Sequence, residues 1–330
     1  MEYLFVGIDV AKDTVAVVMR RAGQNSPAKT FANDAKGVAA LLKWVTQAAP
    51  PAPLWACLEA TGQYGELVAE QLAEHHHRVS VVNPLRIKRY AGAAAVRNQT
   101  DPVDAGLIAK FCEHMQPRLW VPPSPAHQLL RGLSRRLGDL QVMLQMERNR
   151  LAASKRLAQP LKDSLQAVIR TLQQQIEAIK SEMLRTLNQE PELMRQKKLL
   201  MSIQGVGELT AVRFLAELGD LRDFDSAKQL SAFLGLTPES KSSGTSVQTK
   251  PRLSKKGNAA VRQFLYMPAV VAKQFNPLIR AFCDRLAARQ KCNMSIIGAA
   301  MHKLACLMFG VVHSGLPFDP NYLLNSQVPA

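Results

Sequence analysis

Four acids in the first third of the chain have the residue types and the setting for metal-dependent phosphate chemistry: Asp9, Glu59, Asp101 and Asp104. Asp9 and Glu59 each close a short apolar run, at residues 3–8 and 54–58. Acids just outside the carboxyl ends of strands lie where α/β sites form. Asp101 and Asp104 are three residues apart at a helix start, so they share one face. Carboxylates brought to one point repel, and a bound cation is their common compensation. An all-oxygen donor set suits Mg²⁺ or Mn²⁺, and two such ions about 4 Å apart can clamp both oxygens of a phosphodiester displacement. Each acid alone has an ordinary reading too. Asp101 with Pro102 and Asp104 makes a helix cap, Asp9 a strand-end turn and Glu59 a solvated surface position. The four together favour the metal site.

The surrounding elements place these acids. Strands are predicted over 3–8, 14–19, 29–31, 54–58 and 79–82, and helices over 35–48, 65–74 and from about Asp101, where Thr100 or Asp101 caps and Pro102 fits the first turn. This order makes an α/β domain with a mixed sheet. Four prolines between Pro117 and Pro125 mark a boundary. Beyond it Leu129, Leu133, Leu137, Leu140 and Leu144, then Leu161, Leu165, Val168, Leu172, Ile176 and Ile179, recur at helical intervals on either side of Pro160. They predict a long antiparallel helical hairpin, either a coiled-coil seam or a plain bundle. A mostly helical region follows from Glu192.

The whole chain carries 42 Lys and Arg against 26 Asp and Glu, a formal +16. That excess favours a polyanionic partner, because each neutralised phosphate releases counterions. No run of 18 apolar residues predicts a membrane span, and Met1-Glu2-Tyr3-Leu4 lacks a secretory pattern. Five dispersed cysteines without a CxxC pair fit reduced cytoplasmic thiols. His75-His76-His77 and Cys112-x-His114 do not converge as metal ligands.

The ordered set Gly7-Ile8-Asp9-Val10-Ala11-Lys12, Glu59-Ala60-Thr61-Gly62-x-Tyr64, Asn83-Pro84 and Thr100-Asp101-x-x-Asp104-Ala105 closely resembles the DEDD transposases of insertion-sequence family one-ten, a pattern shared with Piv-type DNA invertases. The resemblance covers nearly the whole chain. It implies an RNase H-like, RuvC-type fold over residues 1–116, a Pro-rich boundary and coiled-coil hairpin over 117–192, and a C-terminal transposase domain over 193–330. It also implies that Asp9, Glu59, Asp101 and Asp104 are the metal-binding acids. Gln99 departs from the pattern, since many relatives carry Lys there.

The resemblance continues through Leu218-Gly219-Asp220, Phe224, Gly235-Leu236-Thr237-Pro238 and Arg252-Leu253-Ser254-Lys255-Lys256-Gly257-Asn258. Gly205-Val206-Gly207 looks like a helix–hairpin–helix element, in which backbone amides approach phosphate. A lone Gly-x-Gly is otherwise an ordinary tight turn. Residues 239–250 read by composition as a flexible loop, and the resemblance makes Ser243, followed by Gly244, the nucleophilic serine. Ser240, Ser242 and Ser246 compete with it. A serine hydroxyl needs activation. Between Thr237 and Arg262 the six cations Lys241, Lys250, Arg252, Lys255, Lys256 and Arg262 face only Glu239, a cluster suited to phosphate.

The expected protein is therefore an insertion-element transposase, a site-specific DNA recombinase of the bacterial cytoplasm and nucleoid. The resemblance implies guidance by a noncoding bridge RNA that pairs with donor and target DNA. It further implies a homodimer, a tetrameric synaptic complex, and an active site combining the acids of one subunit with the serine of another. The competing enzyme is a RuvC-like structure-specific nuclease in which the acids activate water. A non-catalytic nucleic-acid binder and an actin-like kinase fit less well, the latter because no second phosphate loop follows.

Overall fold

The apolar runs of the first 122 residues pair into one sheet. β1 (Leu4–Val10) and β2 (Thr14–Arg21) form an antiparallel hairpin, and β2 also pairs with β3 (Gln24–Asn25) and β4 (Lys29–Ala32). After α1 (Ala35–Ala48), β5 (Leu54–Glu59) joins β1 in parallel. A 3-10 turn at Gly62–Gly65 and α2 (Glu66–Glu74) lead to β6 (Arg78–Val82), parallel to β5, followed by α3 (Pro84–Ala93) and α4 (Asp101–Met115). The sheet order is β3-β2-β1-β5-β6, with β4 on β2. Alternating side chains serve two cores. Ile8, Val17 and Leu58 pack with Leu41 and Leu72 of α1 and α2. Phe5, Trp55 and Cys57 pack with Ile108 and Phe111 of α4.

This is a computed structural model describing residues 3–48, 53–60, 62–93, 100–153, 158–239, 242–243, 247–248 and 252–321, with backbone alone at 62–63, 242–243 and 247–248. The chain divides into two units, Met1–Pro122 and Pro123–Ala330.

In the second unit, α5 (Pro125–Ala153) and α6 (Gln159–Asn188) pack along each other. Leu130, Leu137, Leu140 and Leu144 are buried there with Ile176, Met183 and Leu187. Leu129 is exposed, so the seam starts one residue later than the leucine spacing predicts; two adjacent leucines leave the choice to packing. The hairpin shares one core with α7 (Pro191–Met201), α8 (Glu208–Leu218), α9 (Ala227–Phe233), α10 (Ala259–Phe275), α11 (Pro277–Ala288) and α12 (Asn293–Ser314). Between α9 and α10, β7 (Pro238–Glu239) pairs with β10 (Arg252–Leu253), and β8 (Ser242–Ser243) with β9 (Val247–Gln248).

Several elements differ from expectation. Asp9 lies within β1 rather than beyond it. α3 was not anticipated, because it buries only Ile87 and carries Arg86, Lys88 and Arg89, which hide any apolar period. Residues 239–250 are not read as loop throughout, since their described part forms two-stranded ribbon. α12, with hydropathy 1.7 over 18 residues, is long and apolar enough to cross a membrane. Its Ile297, Met301, Leu304 and Met308 are buried in the helical core, which accounts for that composition.

Candidate active site

The parallel strands β1 and β5 run in step, with Ile8 opposite Leu58, so Asp9 and Glu59 follow at the same edge of the sheet. The second pair of acids arrives on α4. Its first turn holds Asp101 and Asp104, where carboxylates suit the positive end of the helix dipole. What brings that turn to Asp9 is Gly7. A Cβ placed on Gly7 would stand 2.0 Å from the Ala105 carbonyl oxygen and 2.3 Å from the Ala109 nitrogen. Only glycine lets the helix cross β1 this closely, and Ala105 and Ala109 are correspondingly small and fully buried.

The acids feel one another. Burial raises the proton affinity of the Asp9 carboxyl, and the charges of Asp101 and Asp104 raise it further, against a lowering backbone hydrogen bond at Val10. Burial, then Asp9 and Asp104, raise that of Glu59. Burial and Asp101 raise that of Asp104. Half-buried like charges that favour protons also favour a cation, and carboxylate oxygens alone fit a hard divalent ion. Among the described residues no three His, Cys, Asp or Glu side chains stand close enough to share one ion. The four acids are thus electrostatic neighbours, not a closed coordination shell.

The other predicted residues lie in the second unit. Ser243 sits on β8, its backbone opposite Val247. Lys241, Lys250, Ser240, Gly244 and Ser246 lie outside the described residues, as do Thr61 and Gln99. Arg252 and Lys255 are exposed at the ribbon's return. Lys256 pairs with Glu239 at 2.6 Å. The Nη1 of Arg262 donates to the carbonyls of Leu234 and Gly257, both at 2.9 Å, so this guanidinium is tied to the turn beneath the ribbon. Gly205 has φ +103 and packs on Ala272, where a Cβ would stand 2.7 Å away. Gly207 faces open space and precedes α8 without a side-chain cap, leaving first-turn amides available. A cleft of about 530 Å³ beside it is lined by Gln204, Thr210, Met267 and Val271 among others.

Two family models match this arrangement in order. A DEDD model described as "Transposase" covers residues 6–159, and one described as "Transposase IS116/IS110/IS902 family" covers residues 197–284. The chain is 32% identical to the pilin gene-inverting protein of Moraxella bovis over 97% of this chain and 98% of that one. The chain belongs to the IS110-type DEDD transposases. The pilin gene-inverting protein of Moraxella lacunata is similar to the same extent, at 32% over 97% and 98%. A putative transposase of Sinorhizobium fredii is 28% identical over 79% of this chain and 70% of that one. Residues 6–159 accordingly carry a DEDD domain of RNase H-like kind, a match that extends past Pro122 into α5 and the start of α6. This transposase is a recombinase that cleaves and rejoins DNA, in a family that uses divalent metal.

Two residues frame these positions in ways that motif and spacing did not assign, Asn258 and Asn33. Asn258 caps α10 by accepting from Val261 N at 3.1 Å, while its Nδ2 donates to the buried Glu217 at 3.1 Å and its backbone N to Phe233 O at 2.9 Å. It anchors the end of the ribbon segment. Its neighbour Gly257 was the visible signal, as a turn residue ahead of a helix. Asn33, between β4 and α1, had no such signal. His75 caps the end of α2.

Proposed function

We propose that this transposase uses Asp9, Glu59, Asp101 and Asp104 to hold Mg²⁺, or Mn²⁺, and Ser243 as its nucleophile. The observation that carries the reading is geometric: β1 and β5 pair in step so that Asp9 and Glu59 follow at one sheet edge, and the close crossing at Gly7 brings the first turn of α4, with Asp101 and Asp104, to the same strand. The metal would supply charge stabilisation at the scissile phosphate. The Ser243 Oγ attacks phosphorus: an O–P bond forms, the bond to the departing strand breaks, the hydroxyl proton passes to solvent, and the departing oxygen gains one. A hydroxyl of the exchanged strand then displaces the serine, so no nucleotide hydrolysis is needed, in keeping with a chain that lacks a P-loop motif.

The wider assembly follows the resemblance. A noncoding bridge RNA pairs with donor and target DNA in the cytoplasm, at the nucleoid. Residues 1–116 supply the acids, 117–192 a coiled coil that pairs subunits, and 193–330 the serine of a second subunit in a tetramer of two dimers. Exposed Val142, Met143, Met146, Leu161 and Val168 on the hairpin support the pairing role. The uncapped start of α8 beside Gly207 supports phosphate contact there, with Gly205 shaping the turn. Lys241, Lys250, Arg252, Lys255 and Lys256 would supply the field around the serine.

Trapping on a denaturing gel tests the chemistry. Active protein should give a covalent DNA adduct that Ser243→Ala abolishes. Strand exchange retained in Ser243→Ala would move the reading to a RuvC-like nuclease with metal-activated water. Sequencing the nucleic acid that co-purifies should return one structured RNA; random fragments would remove the guide.

A further inference from the structure

The two segments that carry Asp9 and Glu59 are joined in the β-ladder only as far as Ile8 and Leu58. Beyond that rung Asp9 stays paired with Ala16 of β2 and Glu59 with Val82 of β6, and each strand then leads into its own turn. Ala11 N donates to Thr14 O at 2.9 Å and closes the turn after β1. The 3-10 turn Gly62–Gly65 follows β5. One side chain reaches both turns. The Nδ2 of Asn33 donates to the carbonyls of Ala11 at 2.9 Å, Lys12 at 3.4 Å and Tyr64 at 3.0 Å. Its backbone N also donates to Asp13 O at 2.9 Å. An amide nitrogen has two hydrogens, so three carbonyls share them in a bifurcated arrangement.

The chemistry of this position calls for an amide. The acceptors are all carbonyls, so the residue must donate. An aspartate in its place would turn a carboxylate oxygen toward carbonyl oxygens and lose these hydrogen bonds. Neither turn is buried deeply enough for packing to fix it, since Lys12 is exposed and Tyr64 is 39% exposed. The sheet ladders place the acids, and the Asn33 hydrogen bonds add a tie between the turn after β1 and the turn after β5. Supporting groups of this kind hold metal ligands in place and typically change metal affinity when lost.

We propose that Asn33 is a positioning residue for the acid site, tying the turn that follows Asp9 to the turn that follows Glu59 so that both acids can close on one divalent cation. The proposal rests on the reading of the acids as the metal site. The test uses the full chain with Mn²⁺ as probe and compares Asn33→Ala, Asn33→Asp and, in parallel, Asp9→Asn. Two quantities are titrated with Mn²⁺: the rise in Tm without DNA, and the cleavage rate.

Both Asn33 variants should need about tenfold more Mn²⁺ for half-maximal effect in either titration, with cleavage recovering toward the wild-type rate at saturation. Asn33→Asp is the sharper variant, because it keeps the shape and adds a negative charge. A site governed by charge alone would then bind Mn²⁺ more tightly, so tighter or unchanged binding in Asn33→Asp overturns the proposal. So does a loss that merely follows a lower metal-free Tm and vanishes on cooling. If Asp9→Asn titrates like wild type, the acid reading itself has failed and takes this proposal with it. If Asp9→Asn loses Mn²⁺ binding while both Asn33 variants keep it, only the Asn33 proposal falls.

Discussion

The two units of this transposase differ sharply in charge. Met1–Pro122 holds 13 Lys and Arg against 11 Asp and Glu, leaving +2. Pro123–Ala330 holds 29 against 15, leaving +14. The excess that points to a polyanion thus lies almost wholly outside the unit that carries Asp9, Glu59, Asp101 and Asp104. A domain that gathers like-charged carboxylates tolerates little more negative field, while one that grips phosphates gains from every added cation. The difference teaches that grip and acid chemistry should be separable by mutation.

The largest separation is expected at the acids. Asp9→Asn or Glu59→Gln should lower cleavage by about a thousandfold, several kcal/mol of transition-state stabilisation. DNA retention in a gel-shift assay should hardly change. Equal loss of binding would erase the distinction between the units.

Gly7→Ala comes next. The new Cβ would meet the Ala105 carbonyl at 2.0 Å, so α4 must move off β1. Thermal unfolding should show a loss of about 1–3 kcal/mol or more, together with lost cleavage. The matching change in the second unit is Gly205→Ala, where φ +103 and the contact with Ala272 both oppose a side chain. A comparable loss is expected there, whereas Gly207→Ala, facing open space, should fold normally.

Charge in the second unit gives a smaller, graded effect. Arg252→Gln and Lys255→Gln should each reduce the slope of log affinity against log salt by about 0.9 per lost phosphate contact. Removing an exposed cation from the first unit, such as Lys43 of α1, should leave the slope unchanged.

The smallest effect is on stability against pH. Asp9, Glu59 and Asp104 have folded-state proton affinities raised above their ordinary values of 3.8, 4.5 and 3.8. A raised carboxyl adds stability below its unfolded value and loses it as pH climbs through the folded one. Metal-free protein should therefore lose stability on the first unit as pH rises from about those values upward. Asp9→Asn should raise its Tm slightly at neutral pH, and added Mg²⁺ should narrow the gap between variant and wild type. A Tm that falls in Asp9→Asn would contradict the repulsion inferred at this edge.

Much of the first unit was legible in the residues. The apolar runs ending at Asp9 and Glu59, the helix over Ala35–Ala48, and the start of α4 at Asp101 beside Pro102 all rest on local periodicity and helix-start chemistry. The basic helix α3 was not legible, because its one buried residue leaves no stripe. In the second unit the choice of Leu130 over Leu129 could not be read from spacing, since adjacent leucines fit the same repeat. The ribbon around Ser243 was hidden in a Ser- and Thr-rich stretch, because its pairing joins residues such as Glu239 and Arg252 across the segment.

The sequence by itself determined the family, the acidic residue types available and the main strands and helices of the first unit, since residue type, period and motif spacing are properties of the chain. Only the tertiary structure decided what meets what. Gly7 matters because a helix almost a hundred residues away lies against it, and Asn33 because its amide reaches carbonyls 21, 22 and 31 residues distant. Such contacts are made by through-space packing and hydrogen bonding, which leave no periodic trace along the chain.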